Sequence, residues 1–216
     1  MTDNKLQYYA ENMDDAFRRD RMFINNPVIM QGLGLAPLVV ICSTFKNAVI
    51  ISLAIILLLT PVRMLAALFS RATMFRFKGV CYAVTSGVVY AGVLWVLQVL
   101  YTPADLLLVG IYLPLLVVEP LIIKRYERPQ KERISTAFTK GLRTTFGFVL
   151  VALLVGALRE FLATGAIYGW QIISFKLFPL AALPAGGFMV LAIIMALWRS
   201  RVRTFKQHIK QEVNTL

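Results

Sequence analysis

Between positions 27 and 198 the chain is a succession of six apolar stretches joined by short polar connections, at roughly 27–44, 47–69, 79–101, 105–123, 142–163 and 177–198. A helix needs about 20 apolar residues to cross a bilayer core, and a backbone in hydrocarbon must satisfy its own hydrogen bonds. These two constraints predict an all-α polytopic membrane protein with six transmembrane helices. A mean hydropathy of +0.70 and a charged fraction of only 16% separate the chain from an ordinary soluble domain. The first 24 residues are polar and carry no apolar core of a cleavable signal peptide.

A net charge of +12 would point to nucleic acid in a soluble protein. Here the location of the charge argues for a lipid bilayer and against nucleic acid. Lys5, Arg18, Arg19 and Arg21 precede the first stretch, and Arg63, Arg71, Arg76 and Lys78 flank the second connection. Seven more lie between Lys124 and Arg143, and five between Arg199 and Lys210. That places 20 of the 23 basic residues on one side of the membrane, with only Lys46, Arg159 and Lys176 on the other. The positive-inside rule then puts both termini in the cytoplasm. Three parts are expected: a cytoplasmic amphipathic segment at 1–24, with Leu6, Tyr9, Met13 and Phe17 at helical spacing, a membrane domain at 25–200, and a basic tail at 201–216.

A proline-centred motif occurs twice, as Ala36-Pro37-Leu38-Val39-Val40 and as Leu113-Pro114-Leu115-Leu116-Val117-Val118. Glycines precede both copies, Gly32 and Gly34 in the first and Gly110 in the second. Breaks of this kind persist only where protein or a polar cavity covers the freed backbone, and matched breaks in two halves mark the centre of internal repeats. With three spans per half, the second half crosses in the opposite sense. The expected architecture is an inverted 3+3 repeat with broken first and fourth helices, the first broken at Pro37 and the fourth at Pro114 and Pro120.

Glu119 is the carboxylate set furthest inside a span, where an ionisable group faces a cavity, a partner or an ion path. The structural alternative is snorkelling toward the interface that Lys124 and Arg125 mark, or pairing with either cation. Arg159 and Glu160 are neighbours near the non-cytoplasmic end of the fifth span; pointing about 100° apart, they are expected to reach other helices or head groups as structural anchors. Asn26 reads as an N-cap with Pro27 at the first helical position. Gly87, Gly92, Gly147 and Gly156 permit close helix packing. Trp95, Trp170 and Trp198 suit an aromatic belt. Cys42 and Cys81 have no metal or redox spacing, and no motif indicates an enzyme acting alone.

The run from Asn25 through Gly32-Leu33-Gly34-Leu35-Ala36-Pro37-Leu38 resembles the start of the Rnf/Nqr membrane-subunit family, most like the E subunit of Rnf and the D subunit of Nqr. Gly110-Ile111-Tyr112-Leu113-Pro114-Leu115 is similar to the family's second motif, and Gly156-Ala157-Leu158-Arg159-Glu160 to a third. The resemblance implies a bacterial inner-membrane subunit that pairs with an oppositely oriented homologue in an ion-translocating electron-transport complex. It also implies flavin and iron–sulfur centres in partner subunits, and an iron centre held by one cysteine from each half-helix. Those positions here are Ala36 and Pro120, neither of which has a side-chain donor. The chain is therefore expected to hold no cofactor and no metal. Three readings stay open: a subunit of such a complex that does not bind iron, a small cofactor-free transporter or ion path built on Glu119, and a membrane scaffold for other subunits.

Overall fold

The computed structural model describes residue 17 and residues 20–69, 77–110, 112–118 and 134–214. Glu119, Pro120 and most of the 1–24 segment lie outside the described residues. Six helices are bounded within them: α1 (Leu35–Ile41), α2 (Phe45–Phe69), α3 (Lys78–Leu100), α4 (Pro103–Gly110), α5 (Ile134–Thr164) and α6 (Pro184–Asn214). A 3-10 turn at Leu113–Val117 follows α4. Between α5 and α6 come a two-stranded hairpin, β1 (Ala166–Ile167) and β2 (Trp170–Gln171), and a second 3-10 turn at Pro179–Ala182.

Four helices are long and apolar enough to cross a bilayer: α2, α3 from Gly79, α5, and α6 as far as Glu212. They are the second, third, fifth and sixth of the expected stretches. The first and fourth are broken, as the duplicated motif predicts, but the positions of the breaks differ. Residues 27–34 form turns, and the helix starts only at Leu35. Pro37 breaks nothing. It occupies the third helical position, where the missing N–H is one that no carbonyl in the helix would accept, and the first intrahelical bond runs from Leu38 N to Gly34 O at 3.1 Å. Likewise α4 ends at Gly110, and Pro114 lies in the opening positions of a 3-10 turn. In both motifs glycine ends the preceding turn or helix, and proline lies in the first turn of the helical piece that follows.

The centre of the protein is the pair α2 and α5, which run antiparallel: Gly141 lies beside Thr60 and Gly156 beside Ala48. A Cβ on Gly156 would stand 2.5 Å from the Ala48 Cβ, so the absent side chain is what sets the approach. Thr60 and Thr145 share a buried hydrogen bond across this seam at 3.1 Å. Gly147 instead makes room for the 21–27 segment, while the space beyond Gly87 and Gly92 on α3 is open among the described residues. α3 and α6 flank the pair and turn much apolar surface outward, including Val84, Val88 and Trp95 on α3.

α6 starts later than the sequence suggests and continues without a break past position 200 into the basic tail. There a second small core forms, in which Phe17 and Ile24 pack on Val202 and Ile209. At the other end α5 stops at Gly165, in the left-handed region at φ +74°, and the chain reverses through Tyr168 and Gly169, both with positive φ.

Candidate functional site

The first break is built from a buried asparagine. Asn26 Oδ1 accepts the backbone N–H of Val28 and Ile29 at 2.9 and 3.3 Å, and its amide donates to Met22 O and Gly147 O at 2.9 and 2.8 Å. This caps a single turn rather than a span, because the chain leaves helical geometry at Gly32 and again at Gly34, with φ +72° and +70°. Gly34 is doubly constrained, since a Cβ there would run into Cε2 of the Phe148 ring. α1 then runs for seven residues. The result is a half-length helix inside the membrane domain, with Pro37 buried and Ala36 exposed.

The second break lies against the first. The 3-10 turn Leu113–Val117 contacts α1, α2, α3 and α4. Leu113 and Leu116 are buried, whereas Pro114 faces outward. A carbonyl set free by the irregular backbone, that of Val117, accepts the Ser86 hydroxyl at 2.6 Å. Gly110, where α4 stops, has open space beyond its Cα and lines a cleft with Gln98, Tyr101 and Leu107.

Arg159 holds the far end of α1. Its side chain is fully buried, and all five N–H groups point at backbone carbonyls. Nη1 donates to Val39 O and to Cys42 O, the latter at 3.0 Å, and so closes the C-terminus of α1. Nε donates to Ala181 O at 2.9 Å, while Nη2 reaches Ala182 O and Leu183 O at 3.2 Å each. One guanidinium thus ties the carbonyl ends of two short helical pieces, where the helix dipole favours a cation. Gly187 makes room for it, because a Cβ at that position would lie 2.7 Å from Arg159 Cζ. Glu160 does the opposite at the start of α2. Its Oε2 accepts Phe45 N at 2.7 Å, and Oε1 accepts Gly169 N at 2.9 Å. The pair therefore anchors carbonyl ends with the cation and amide ends with the anion.

The opposite end of the α2–α5 seam carries a buried basic cluster. Thr144 Oγ1 accepts from Arg21 Nη1 at 3.0 Å and from Arg63 Nη1 at 3.3 Å, and donates to Lys140 O at 2.7 Å. Arg63 is almost wholly buried. At the Arg159 end, Lys46 on α2 pairs with Asp105 on α4 at 2.7 Å in an exposed position, which contributes little.

The donor set at the first half-helix does not fit an iron ion. Ala36 offers a methyl group. Cys42, the nearest thiol in sequence, lies beyond the end of α1, and its carbonyl is bound to Arg159. Cys81 belongs to α3. Glu119 and Pro120 directly follow Val118, the last described residue of the second broken segment.

The structure thus sets α1, which follows Gly34 and holds Ala36 and Pro37, against the 3-10 turn that holds Pro114, with Arg159 closing α1. Gly110 ends α4, which also touches that turn. Sequence reasoning missed Ser86, Thr144 and Gly187. The Gly186-Gly187 doublet behind Pro184 was the readable signal, because adjacent glycines early in a helix point to something large packed against its backbone.

Residues 16–195 match the family described as Rnf-Nqr subunit, membrane protein. Over 204 residues, covering 93% of both chains, the sequence is 25% identical to the E subunit of the proton-translocating ferredoxin:NAD(+) oxidoreductase complex of Clostridium ljungdahlii. It is 30% identical over 195 residues to the E subunit of the ion-translocating oxidoreductase complex of Shewanella oneidensis, covering 80% of this chain and 81% of that one. The corresponding E subunit of Pseudomonas paraeruginosa gives 30% over 208 residues, with 83% and 81% covered.

Proposed function

The chain belongs to the Rnf-Nqr family of membrane-protein subunits, and from that premise we propose that it is the E-type membrane component of an ion-translocating oxidoreductase complex. It works there beside flavin- and iron–sulfur-bearing subunits and an oppositely oriented homologous membrane subunit, and holds no cofactor or metal itself. The observation that carries this reading is the contact between the two broken segments, α1 and the Leu113–Val117 turn, held inside a frame of four long helices. Irregular backbone inside a membrane domain is tolerated only where protein covers it or where it lines a cavity, and paired breaks of this kind are a pointer to a functional centre between repeats.

The chain's own part is positional. Arg159 and Glu160 act as structural anchors that fix the ends of α1 and α2, and Ser86 fixes the second break. Ala36 presents a small apolar surface where the family carries a thiolate. Glu119, Pro37, Pro114, Gly34 and Gly110 are the candidates for the midplane, with Glu119 the group able to carry an ion or proton there. The antiparallel α2–α5 pair, second and fifth of the six stretches, supports an inverted 3+3 repeat. The segregation of basic residues supports a bacterial cytoplasmic membrane location with both termini inside. The test is redox-driven ion uptake by inverted membrane vesicles. Loss of the chain should abolish NADH- or ferredoxin-dependent uptake, and its return on a plasmid should restore it. Uptake that persists without the chain would remove this function.

A further inference from the structure

An apolar groove of about 730 Å³ runs along the outer face of α5 and α6 toward the basic end of the molecule. Leu154 and Leu158 form one wall, and Ile194 and Leu197 the other. Asp20 and Arg201 stand at its polar end. From Ile194 to Arg201 the α6 side is about 10 Å long at 1.5 Å per residue, the length of part of one acyl chain. The wall is fixed rather than soft: Trp198 Nε1 donates to Phe23 O at 2.9 Å, and the two rings stack at 5.9 Å.

We propose that this groove is a binding site for one bilayer phospholipid of the ethanolamine type, with an acyl chain between α5 and α6, its phosphate on Arg201 and its ammonium on Asp20. Charge complementarity selects the head group. Arg201 is exposed at the point where α6 turns from apolar to basic, and it has no ion pair among the described residues. It therefore meets a phosphodiester at the level of the lipid head groups. Asp20 uses Oδ1 to accept Met22 N at 3.0 Å and Phe23 N at 3.2 Å, and Oδ2 has no hydrogen-bond partner among the described residues. A wholly anionic head group would satisfy Arg201 and be repelled by Asp20. A zwitterionic one with a primary ammonium satisfies both.

The test is native mass spectrometry of the full chain, exchanged into mixed micelles with equal phosphatidylethanolamine and phosphatidylglycerol of the same acyl composition. The wild type should retain one phosphatidylethanolamine in preference. Arg201→Gln and Leu158→Trp should each cut retention roughly tenfold, the effect expected when a charge-assisted hydrogen bond or the acyl slot is removed. Asp20→Asn keeps the backbone acceptor, so retained lipid should persist while the preference for ethanolamine disappears. Retention that both Arg201→Gln and Leu158→Trp leave unchanged would overturn the site, as would a photo-crosslinker at Leu197 that captures protein and no lipid in intact membranes. A preference for phosphatidylglycerol in the wild type would overturn the head-group assignment.

Discussion

At the scale of single residues, Arg159 is the side chain on which the broken core depends most. A buried guanidinium is costly to desolvate, and its position is stable only because five carbonyls receive its five N–H groups. Arg159→Met leaves the ends of α1 and of the Pro179–Ala182 turn without donors. It should lower stability by about 3–5 kcal/mol, the scale of breaking a buried charged network, read as a shifted midpoint in a denaturant titration in micelles. Arg159→Lys keeps the charge but offers three donors without the planar fork, so its midpoint should fall between the two. A lysine midpoint equal to that of the wild type would mean that the planar fork contributes nothing. Gly34 carries a second, separable constraint. Gly34→Ala meets both the left-handed backbone and the Phe148 ring. Gly34→Ala combined with Phe148→Leu should recover the packing part and leave about 1–2 kcal/mol of backbone strain. Full recovery in the double variant would show that φ at this position is not constrained as described.

At the scale of elements, the seam between α2 and α5 organises the rest. Gly156→Leu would thrust a side chain into Ala48 and the backbone near Phe45. The expected result is loss of the folded monodisperse species by size-exclusion chromatography, whereas Gly87→Leu, facing open space, should be tolerated by the isolated chain. Four long helices were legible in the sequence because hydropathy and length are additive, local quantities. The two broken segments were also legible, through glycine and proline. Which of the two residue types stops the helix was not. Pro37 and Pro114 looked like breakers, and their place in the first turn of a new helix depends on where the preceding glycine lets the chain bend. The 100° divergence of Arg159 and Glu160 on a helix says that they reach in different directions, but not to which partners, which come from α1, α2, the hairpin and the turn before α6. Ser86 gave no signal, since a lone serine in a membrane helix usually bonds within its own helix.

At the scale of the whole molecule, the fold is a frame of four long helices around two short, interrupted ones, in a chain of the Rnf-Nqr family. The proposed role in coupling makes Glu119 a sharp test. Glu119→Gln should abolish redox-driven ion uptake in inverted vesicles while the assembled complex is recovered in normal amount. Normal uptake in a well-assembled variant would remove the ion path from this chain and leave it a scaffold. The most direct measurement is purification of the tagged chain from its native membrane in a mild detergent, with all co-purifying subunits identified and iron and flavin quantified. The account predicts a stoichiometric complex that contains flavin- and iron–sulfur-bearing subunits and a second homologous membrane subunit, with no iron remaining on this chain once it is separated. Recovery of the chain alone, or with stoichiometric iron of its own, would contradict it.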